Sequence, residues 1–165
     1  MSLVIRDMQP TDWPQVAEIY KQGIETGNAT FQQTIPSWEE WNMSHAASCR
    51  IVAEVDYEIT GWAALSAVSS RAVYAGVAEV SVYVKSNHRG LQIGTKLVQA
   101  IISDSESKGY WTLQSGILIE NSASIALHKK SGFREIGYRE KVAKMNNVWR
   151  DTVLLERRSN IVGID

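Results

Sequence analysis

The chain has 165 residues, 44% of them hydrophobic, and its 17 Lys and Arg nearly balance its 18 Asp and Glu. This length and composition predict one domain, residues 1–165, with enough apolar side chains to build a core. The near-zero net charge argues against a nucleic-acid or anionic-membrane partner.

The chain shows no signal for secretion, membrane insertion or metal binding. No basic segment precedes an apolar one at the start, and no apolar run reaches the roughly 18 residues of a membrane span. The histidines His45, His88 and His128 are scattered, so no metal cluster is expected. We expect a cytoplasmic protein in which the single cysteine, Cys49, is a buried small residue.

The first part of the chain predicts a strand, two helices and a long loop. LVIRD (3–7) alternates as a strand does, and TDWPQVAEIYKQGI has helical spacing, with Thr11 or Asp12 as its N-cap. Residues 26–36 have no period and read as a loop, a place where function is common. Ser37 and Glu40 then form a capping box that starts a second helix, ending at about residue 47.

The remaining elements alternate strands and helices. RIVAEV and ITGWAALSAV predict a hairpin, and VAEVSVYV (77–84) predicts another strand. A helix from Gly90 to Lys108, the strand LQSGILI, a helix from Asn121 to Ser131, and the strands FREIGY and VWRDTVLLE follow. The order β-α-α-β-β-β-α-β-α-β-β predicts a mixed sheet with helices on its faces, an α/β or α+β protein.

The segment HRGLQIGTKL (88–97), between the strand 77–84 and a helix, has the features of an anion site. A Gly-containing turn at a helix N-terminus leaves backbone N–H groups free for a phosphate. A P-loop is excluded, because three residues rather than four separate Gly90 and Gly94, and Thr95 precedes Lys96. The dinucleotide fingerprint Gly-x-Gly-x-x-Gly is also absent.

This segment resembles the acyl-CoA loop of the GNAT superfamily of N-acetyltransferases, Arg/Gln-x-x-Gly-x-Gly/Ala. Arg89 and Gly94 match the pattern, whereas Gln92 replaces the middle glycine. The superfamily's second signature, an Asn, a short helix and a Gly-Phe or Gly-Tyr, is matched by NSASIALHKKSGF (121–133). The resemblance extends from about residue 3 to residue 157.

The resemblance implies a GNAT-type fold, with a mostly antiparallel central sheet of about seven strands, helices on both faces, and a splay between the fourth and fifth strands. It implies acetyl-CoA as co-substrate and no metal. The implied cofactor-binding residues are Val82, Tyr83, Val84, Arg89, Gly90, Leu91, Gln92, Ile93, Gly94, Thr95, Asn121 and Ser124. The Gln92 side chain must point away from the pyrophosphate, and for Asn121 the alternative is N-capping of the next helix.

Within the superfamily, the chain resembles the branch that acetylates phosphinothricin and methionine sulfoximine, in NATFQ (28–32), R-x-x-Y (71–74), A-E-x-S-V-Y-V (78–84), L-H (127–128) and V-W-R-D (148–151). The implied partner is a small-molecule amine acceptor, and the implied role is detoxification. Arg71 and Tyr74 would bind its anionic groups. Thr30 and Phe31 would form another wall, unless they are ordinary exposed loop residues.

The branch implies a homodimer in which Trp149 approaches the partner's pocket. The alternative is that Trp149 lies in the core.

Two residues are implied in catalysis. Glu79 would remove a proton from the attacking amine, its pKa raised by the apolar strand around it. The alternative is a solvated edge carboxylate. His128 stands where most of the superfamily has a Tyr that helps the CoA thiolate leave; the alternative is packing against the cofactor or capping the helix. A backbone N–H near Val82–Val84 would stabilise the oxyanion.

Three functions remain open on the sequence. The first is acetylation of the α-amino group of phosphinothricin, methionine sulfoximine or methionine sulfone, which Arg71 favours. The second is acetylation of another small amine or of a protein N-terminus. The third is a silent acyl-CoA-binding module, against which Glu79 and His128 argue.

Overall fold

The computed structural model describes residues 2–165. Its strands are β1 (Leu3–Asp7), β2 (Arg50–Val55), β3 (Glu58–Ala67), β4 (Val77–Val84), β5 (Thr112–Leu118), β6 (Arg134–Met145) and β7 (Val148–Arg158). Its α-helices are α1 (Trp13–Glu25), α2 (Trp38–Ser44), α3 (Ile93–Ser107) and α4 (Ser122–Lys130). The predicted order of strands and helices is therefore confirmed.

All seven strands belong to one sheet, in the order β1-β2-β3-β4-β5-β7-β6. Every neighbouring pair is antiparallel except β4 and β5, which are parallel. The long segment containing α3 makes the crossover that parallel neighbours require. The prediction of a mixed, mostly antiparallel sheet with helices is thus confirmed.

Alternate residues of the sheet enter two apolar clusters on its opposite faces. Ile51 and Ala53 of β2 pack in the cluster that contains α3, whereas Val52 packs in the cluster of α1 and α2. Period-two alternation produces this division, because successive strand side chains point to opposite faces. Cys49 is buried in the α3 cluster, as predicted, and burial raises the pKa of its thiol to about 11.

Asp12, one of the two predicted N-cap residues, occupies the N-cap position of α1, but the expected side-chain cap is absent. Instead, the Asp12 carboxylate accepts hydrogen bonds from the Arg6 guanidinium at 2.8 and 3.0 Å and from the Gln9 N–H at 2.7 Å. The hydrogen bond from Arg6 lowers the pKa of Asp12. A charge-assisted bidentate contact is stronger than a cap and therefore decides the orientation of this side chain.

Three element boundaries also differ from the sequence prediction. Helix α2 stops at Ser44, because His45 is extended and the Ala46 N–H joins the Leu65 carbonyl of the sheet. Helix α3 starts at Ile93, because Gly90 and Gln92 have positive φ angles. Strand β6 runs well beyond FREIGY, and its two register shifts and charged residues conceal it in the sequence.

Within residues 2–165, the helices are all too short or too polar to cross a bilayer. The cytoplasmic location stays a prediction.

The close approach of β3 to α3 predicts that Gly61→Ala is destabilising. A Cβ at Gly61 would lie 2.8 Å from Leu97 Cδ1 and 3.0 Å from the backbone oxygen of Tyr83. Because the backbone oxygen cannot move without shifting β4, we expect a loss of about 1–3 kcal/mol in the free energy of unfolding, measured in urea. Gly137→Ala is the control, since a Cβ there meets nothing within 4 Å. Equal stabilities of the two variants would contradict this packing.

Candidate active site

The parallel strands β4 and β5 pair along only part of their length. Their register comprises three pairs, Val77 with Thr112, Ala78 with Leu113 and Glu79 with Gln114. Beyond these pairs each strand keeps its outer partner, β4 with β3 as far as Val84 and β5 with β7 as far as Leu118. The facing edges therefore present backbone N–H and C=O groups to the space between them.

A cavity of about 910 Å³ occupies this space. Such a volume lies in the upper part of the range for small-molecule sites. Its walls come from the loop after α1, the outer half of β4, the start of α3, the outer half of β5, the start of α4 and β7. The lining residues on the two facing strands are Glu79, Val80, Ser81, Val82, Tyr83, Val84, Ser115, Gly116, Ile117 and Leu118.

The predicted anion loop lies at one end of the cavity. Arg89, Gly90 and the residues 92–95 line it, whereas Leu91 does not. The first backbone N–H groups of α3 have no partner within the helix and carry its positive dipole end. Gln92 has φ 65° and ψ 15°, a left-handed conformation that favours glycine, and its side chain is exposed. The replacement thus retains the backbone shape expected of a glycine.

The start of α3 packs closely against α4 beside this loop. A Cβ at Gly94 would lie 3.1 Å from the Leu127 side chain. Asn121 caps α4, since its Oδ1 accepts the Ser124 N–H at 3.2 Å, and it also lines the cavity. N-capping, the alternative for Asn121, is therefore observed, while a contact to cofactor stays a prediction.

His128 of α4 lies against the cavity with only 2% of its surface exposed. Its Nδ1 is 2.7 Å from the Ser124 carbonyl oxygen, so Nδ1 carries the proton and donates it. Burial lowers the pKa of His128. Its Nε2 is buried and has no hydrogen-bond partner within the described residues 2–165. The neutral ring therefore presents an acceptor, and it must gain a proton at Nε2 before it can donate one there.

Glu79 is half-buried at the last pair of the β4–β5 register. Its carboxylate lines the cavity, and its Oε2 is 3.4 Å from Gln114 Nε2. The neighbours Ala78 and Val80, which suggested desolvation in the sequence, point into the α3 cluster on the opposite face. These apolar neighbours therefore lie on the opposite face of the sheet from the Glu79 side chain.

The other end of the cavity is formed by the loop after α1. Thr30 and Phe31 line it, as predicted from the sequence. The Tyr83 ring stacks on Trp62, with 4.8 Å between the ring centroids, and packs beside Tyr20, with 5.0 Å between the centroids. Both contacts lie on the face of the sheet that carries α1. Burial raises the pKa of Tyr83, an effect opposed by the Thr30 hydroxyl. This wall is thus aromatic and hydroxylic.

Arg71 and Tyr74 do not line the cavity. They lie in the turn before β4, where the Arg71 guanidinium is 5.8 Å from the centroid of the exposed Tyr74 ring. Trp149 is also exposed, so the alternative that placed it in the core is wrong.

Sequence reasoning missed Glu120 as a lining residue and Arg150 as its neighbour. Arg150 stood within the matched V-W-R-D stretch, the one signal that could have singled it out.

Comparison with known proteins places this geometry in context. Residues 11–133 match the model of the "Acetyltransferase (GNAT) family". The L-methionine sulfoximine/L-methionine sulfone acetyltransferase of Pseudomonas aeruginosa is 26% identical over 162 residues, 94% of each chain. The phosphinothricin N-acetyltransferase of Alcaligenes faecalis is 28% identical, over 94% of this chain and 82% of that one. The phosphinothricin acetyltransferase of Sinorhizobium meliloti, solved in complex with acetyl-CoA, superimposes with a TM-score of 0.89 at 25% identity, covering 100% of this chain and 92% of that one.

The left-handed Gln92 predicts that stability depends on how well the residue at this position tolerates positive φ. That conformation costs a non-glycine residue about 1–2 kcal/mol, partly offset by the roughly 0.5–1 kcal/mol of extra chain entropy that glycine loses on folding. Gln92→Gly should therefore leave the free energy of unfolding equal or raise it, whereas the β-branched Gln92→Val should lower it. Urea unfolding measures both. A Val variant as stable as the Gly variant would show that the residue is not left-handed in solution.

The buried His128 predicts a pH-dependent loss of stability. The unfolded chain takes up a proton near pH 6.5, whereas the folded pKa is lower, so the free energy of unfolding falls as the pH falls below about 6.5. The loss amounts to about 1.4 kcal/mol for each unit between the two pKa values. His128→Asn keeps a donor for the Ser124 carbonyl and removes the titration.

Urea unfolding at pH 8, 7 and 5 measures this effect. The difference in the free energy of unfolding between the two proteins at pH 8 gives the effect of the substitution itself, because His128 is neutral there in both states. The variant should lose less stability than the wild type between pH 7 and 5. An equal loss in both proteins would contradict a buried neutral His128.

Proposed function

The chain belongs to the acetyltransferase (GNAT) family of N-acetyltransferases, and we propose that it transfers an acetyl group from acetyl-CoA to the α-amino group of a small amino-acid-like acceptor. Phosphinothricin, methionine sulfoximine and methionine sulfone are the acceptors that the names of its relatives support. The observation that carries the proposal is the cavity between β4 and β5, which joins a helix N-terminus at one end to Glu79 and the loop after α1 at the other.

The residues around the start of α3 fit acetyl-CoA. Positive φ at Gly90 and Gln92 shapes a turn beside the free N–H groups at residues 93–95, a suitable site for a pyrophosphate. Arg89 adds a positive charge at the cavity. The unpaired edges of β4 and β5 offer N–H and C=O groups to pantetheine amides. Acetyl-CoA, when bound, supplies the acetyl group as a reactive thioester.

Glu79 is the proposed proton acceptor for the attacking amine. An ammonium group cannot attack a carbonyl, so a base must remove its proton at or before this step. Glu79 faces the same side of the sheet as Ser81 and Tyr83, the side of the loop after α1. It therefore lies where an acceptor held by this loop would present its amine.

The N–H groups on the free edge of β4 near Val82–Val84 are the proposed oxyanion donors. They belong to a strand fixed on its other side by β3, so they are positioned before the reaction begins. His128 Nε2 has no hydrogen-bond partner within residues 2–165 but is itself buried, so a ligand would bond to it only after neighbouring groups move aside. Its predicted role as an acid requires a prior proton uptake, which its lowered pKa opposes.

A second class of acceptor, an amine without a carboxylate, is favoured by one observation. Glu79 lines the cavity without a cation among its hydrogen bonds in residues 2–165, whereas Arg71, the predicted partner of an acceptor carboxylate, lies outside the cavity walls. The Glu79 carboxylate would attract a cationic amine. A polyamine is therefore the informative comparison with the zwitterionic acceptors.

The proposed homodimer rests on the β6–β7 hairpin. Tyr138, Val142, Val148 and Trp149 are large, exposed and apolar there, a pattern typical of an interaction surface. Arg150 and Thr152 follow on the same strand and approach the cavity. A second subunit covering the hairpin would therefore lie beside the acceptor end.

Release of CoA thiol in the presence of acetyl-CoA tests the proposed function. The panel is phosphinothricin, methionine sulfoximine, methionine sulfone and spermidine, and we expect saturable turnover with the three zwitterions. Glu79→Gln should lower kcat about 10²- to 10⁴-fold, the usual contribution of a general base, and leave acetyl-CoA affinity unchanged. Glu18→Gln, at an exposed position of α1 that does not line the cavity, is the matched control and should retain wild-type rates.

Turnover of spermidine alone would contradict a zwitterionic acceptor and would favour a cationic amine instead. Wild-type rates in Glu79→Gln would exclude Glu79 as the base. Binding of acetyl-CoA without turnover on any amine would favour a silent acyl-CoA-binding module.

A further inference from the structure

Arg150 connects parts of the cavity wall that are far apart in the sequence. It lies near the start of β7, opposite Ala143 of β6, and its side chain is only 12% exposed. One guanidinium nitrogen donates to the Gly27 carbonyl at 3.0 Å. The other donates to Asn28 Oδ1 at 2.7 Å and to Glu120 Oε2 at 3.1 Å. A single cation thus ties the loop after α1 to the end of β5.

The loop after α1, residues 26–36, has few other polar connections to the sheet. Its remaining hydrogen bonds are local and join Thr26 to Gly23, Asn28 to Thr26, and Gln32 to Thr30 and Thr34. The Thr30 hydroxyl also faces Tyr20 and Tyr83. In the part of the chain that the structure describes, Arg150 is therefore the main polar link between this loop and the sheet.

The two side chains that Arg150 binds, those of Asn28 and Glu120, belong to residues that line the cavity. Asn28 belongs to the wall that continues into Thr30 and Phe31, and Glu120 ends the β5 wall. Because a guanidinium presents several donors in one plane, it can hold two walls at a fixed separation, which an ammonium cannot do in the same way. Breaking the contact would also leave the half-buried Gly27 carbonyl and Asn28 Oδ1 without this donor.

Arg150 also settles the charge of the acceptor end. Its hydrogen bond lowers the pKa of Glu120, which stays ionised but paired. Glu79 has no comparable cation among its hydrogen bonds in residues 2–165. Glu79 is therefore the carboxylate left to interact with an incoming amine.

We propose that Arg150 is a positioning residue for acceptor binding, which holds the loop at residues 26–36 against the end of β5 and neutralises Glu120. The kinetic part of this inference rests on the proposed acetyl transfer, whereas the ordering of the loop does not. The proposal predicts different effects at the two ends of the cavity. Arg150 acts on the wall formed by residues 26–36 and leaves the α3 end, where acetyl-CoA is proposed to bind, unchanged.

The variant Arg150→Met removes the donors and keeps much of the side-chain length. Amide hydrogen exchange of residues 26–36, measured without ligands, should accelerate about tenfold or more, the effect of losing about 1.4 kcal/mol of local stability. The KM for the acceptor should rise about tenfold or more, with a smaller change in kcat and no change in the KM for acetyl-CoA. Arg150→Lys should fall between the wild type and Arg150→Met. Lys108→Met, which removes an exposed positive charge at the end of α3 away from the cavity, is the matched control and should behave as the wild type.

Wild-type exchange in residues 26–36 of folded Arg150→Met, together with an unchanged acceptor KM, would overturn the proposal. An equal rise in both KM values would also overturn it, because it would indicate a general structural role. Where Arg150→Met does not fold, Asn28→Ala removes one end of the contact and should give the same exchange pattern; unchanged exchange would overturn the proposal.

If the wild type acetylates none of the acceptors, the proposed function is contradicted. The exchange measurement would still decide whether Arg150 orders the loop.

Discussion

The separation of β4 from β5 after three residue pairs is the constraint on which the site depends. Each strand is held on its outer side, by β3 and by β7, so the gap opens without dissolving the sheet. Helix α3 begins soon after β4 ends, and α4 begins soon after β5 ends. Both helix N-termini are consequently delivered to the same opening. The free strand edges and the helix ends together create a cavity that is lined by backbone polar groups and by both polar and apolar side chains.

The two faces of the sheet give the two ends of this cavity different characters. Val80, Val82 and Val84 of β4 pack towards α3, whereas Glu79 and Tyr83 face the loop after α1. Strand β4, which borders the gap, can therefore bind one ligand with its free backbone edge and contact another with its side chains. In the proposed acetyl transfer, the phosphates would bind at the α3 end and the amine would bind on the other face.

Much of the fold followed from local patterns. Period-two strands, helical spacing, and glycines such as Gly109 and Gly132, which have positive φ after α3 and α4, predicted the order of the elements. Ser37 was recognisable as a cap because a cap involves residues three apart, and its oxygen accepts the Glu40 N–H at 3.1 Å. The loop at 89–95 was recognisable for the same reason, and its Gln92 kept the left-handed backbone.

The features that sequence reasoning missed depend on long-range contacts. Asp12 was assigned as a cap because Arg6 and Glu54 could not be seen converging beside it. Arg71 was predicted to bind the acceptor from the resemblance of R-x-x-Y (71–74) to the branch, but in the structure it lies beside the exposed Tyr74 ring. Arg150 reaches Asn28 across 122 residues, a contact that no local pattern encodes. Local sequence patterns therefore predicted the loop at the α3 end of the cavity better than the other end, which is assembled from segments distant in the sequence.

A crystal structure of the protein with acetyl-CoA tests the central claim most directly. We expect the thioester between the free edges of β4 and β5, within reach of Glu79, and the pyrophosphate within hydrogen-bonding distance of the backbone N–H groups at residues 93–95. The β4–β5 register should still end at Glu79 and Gln114. Acetyl-CoA bound elsewhere, or strands paired beyond that point with the cavity closed, would contradict the account.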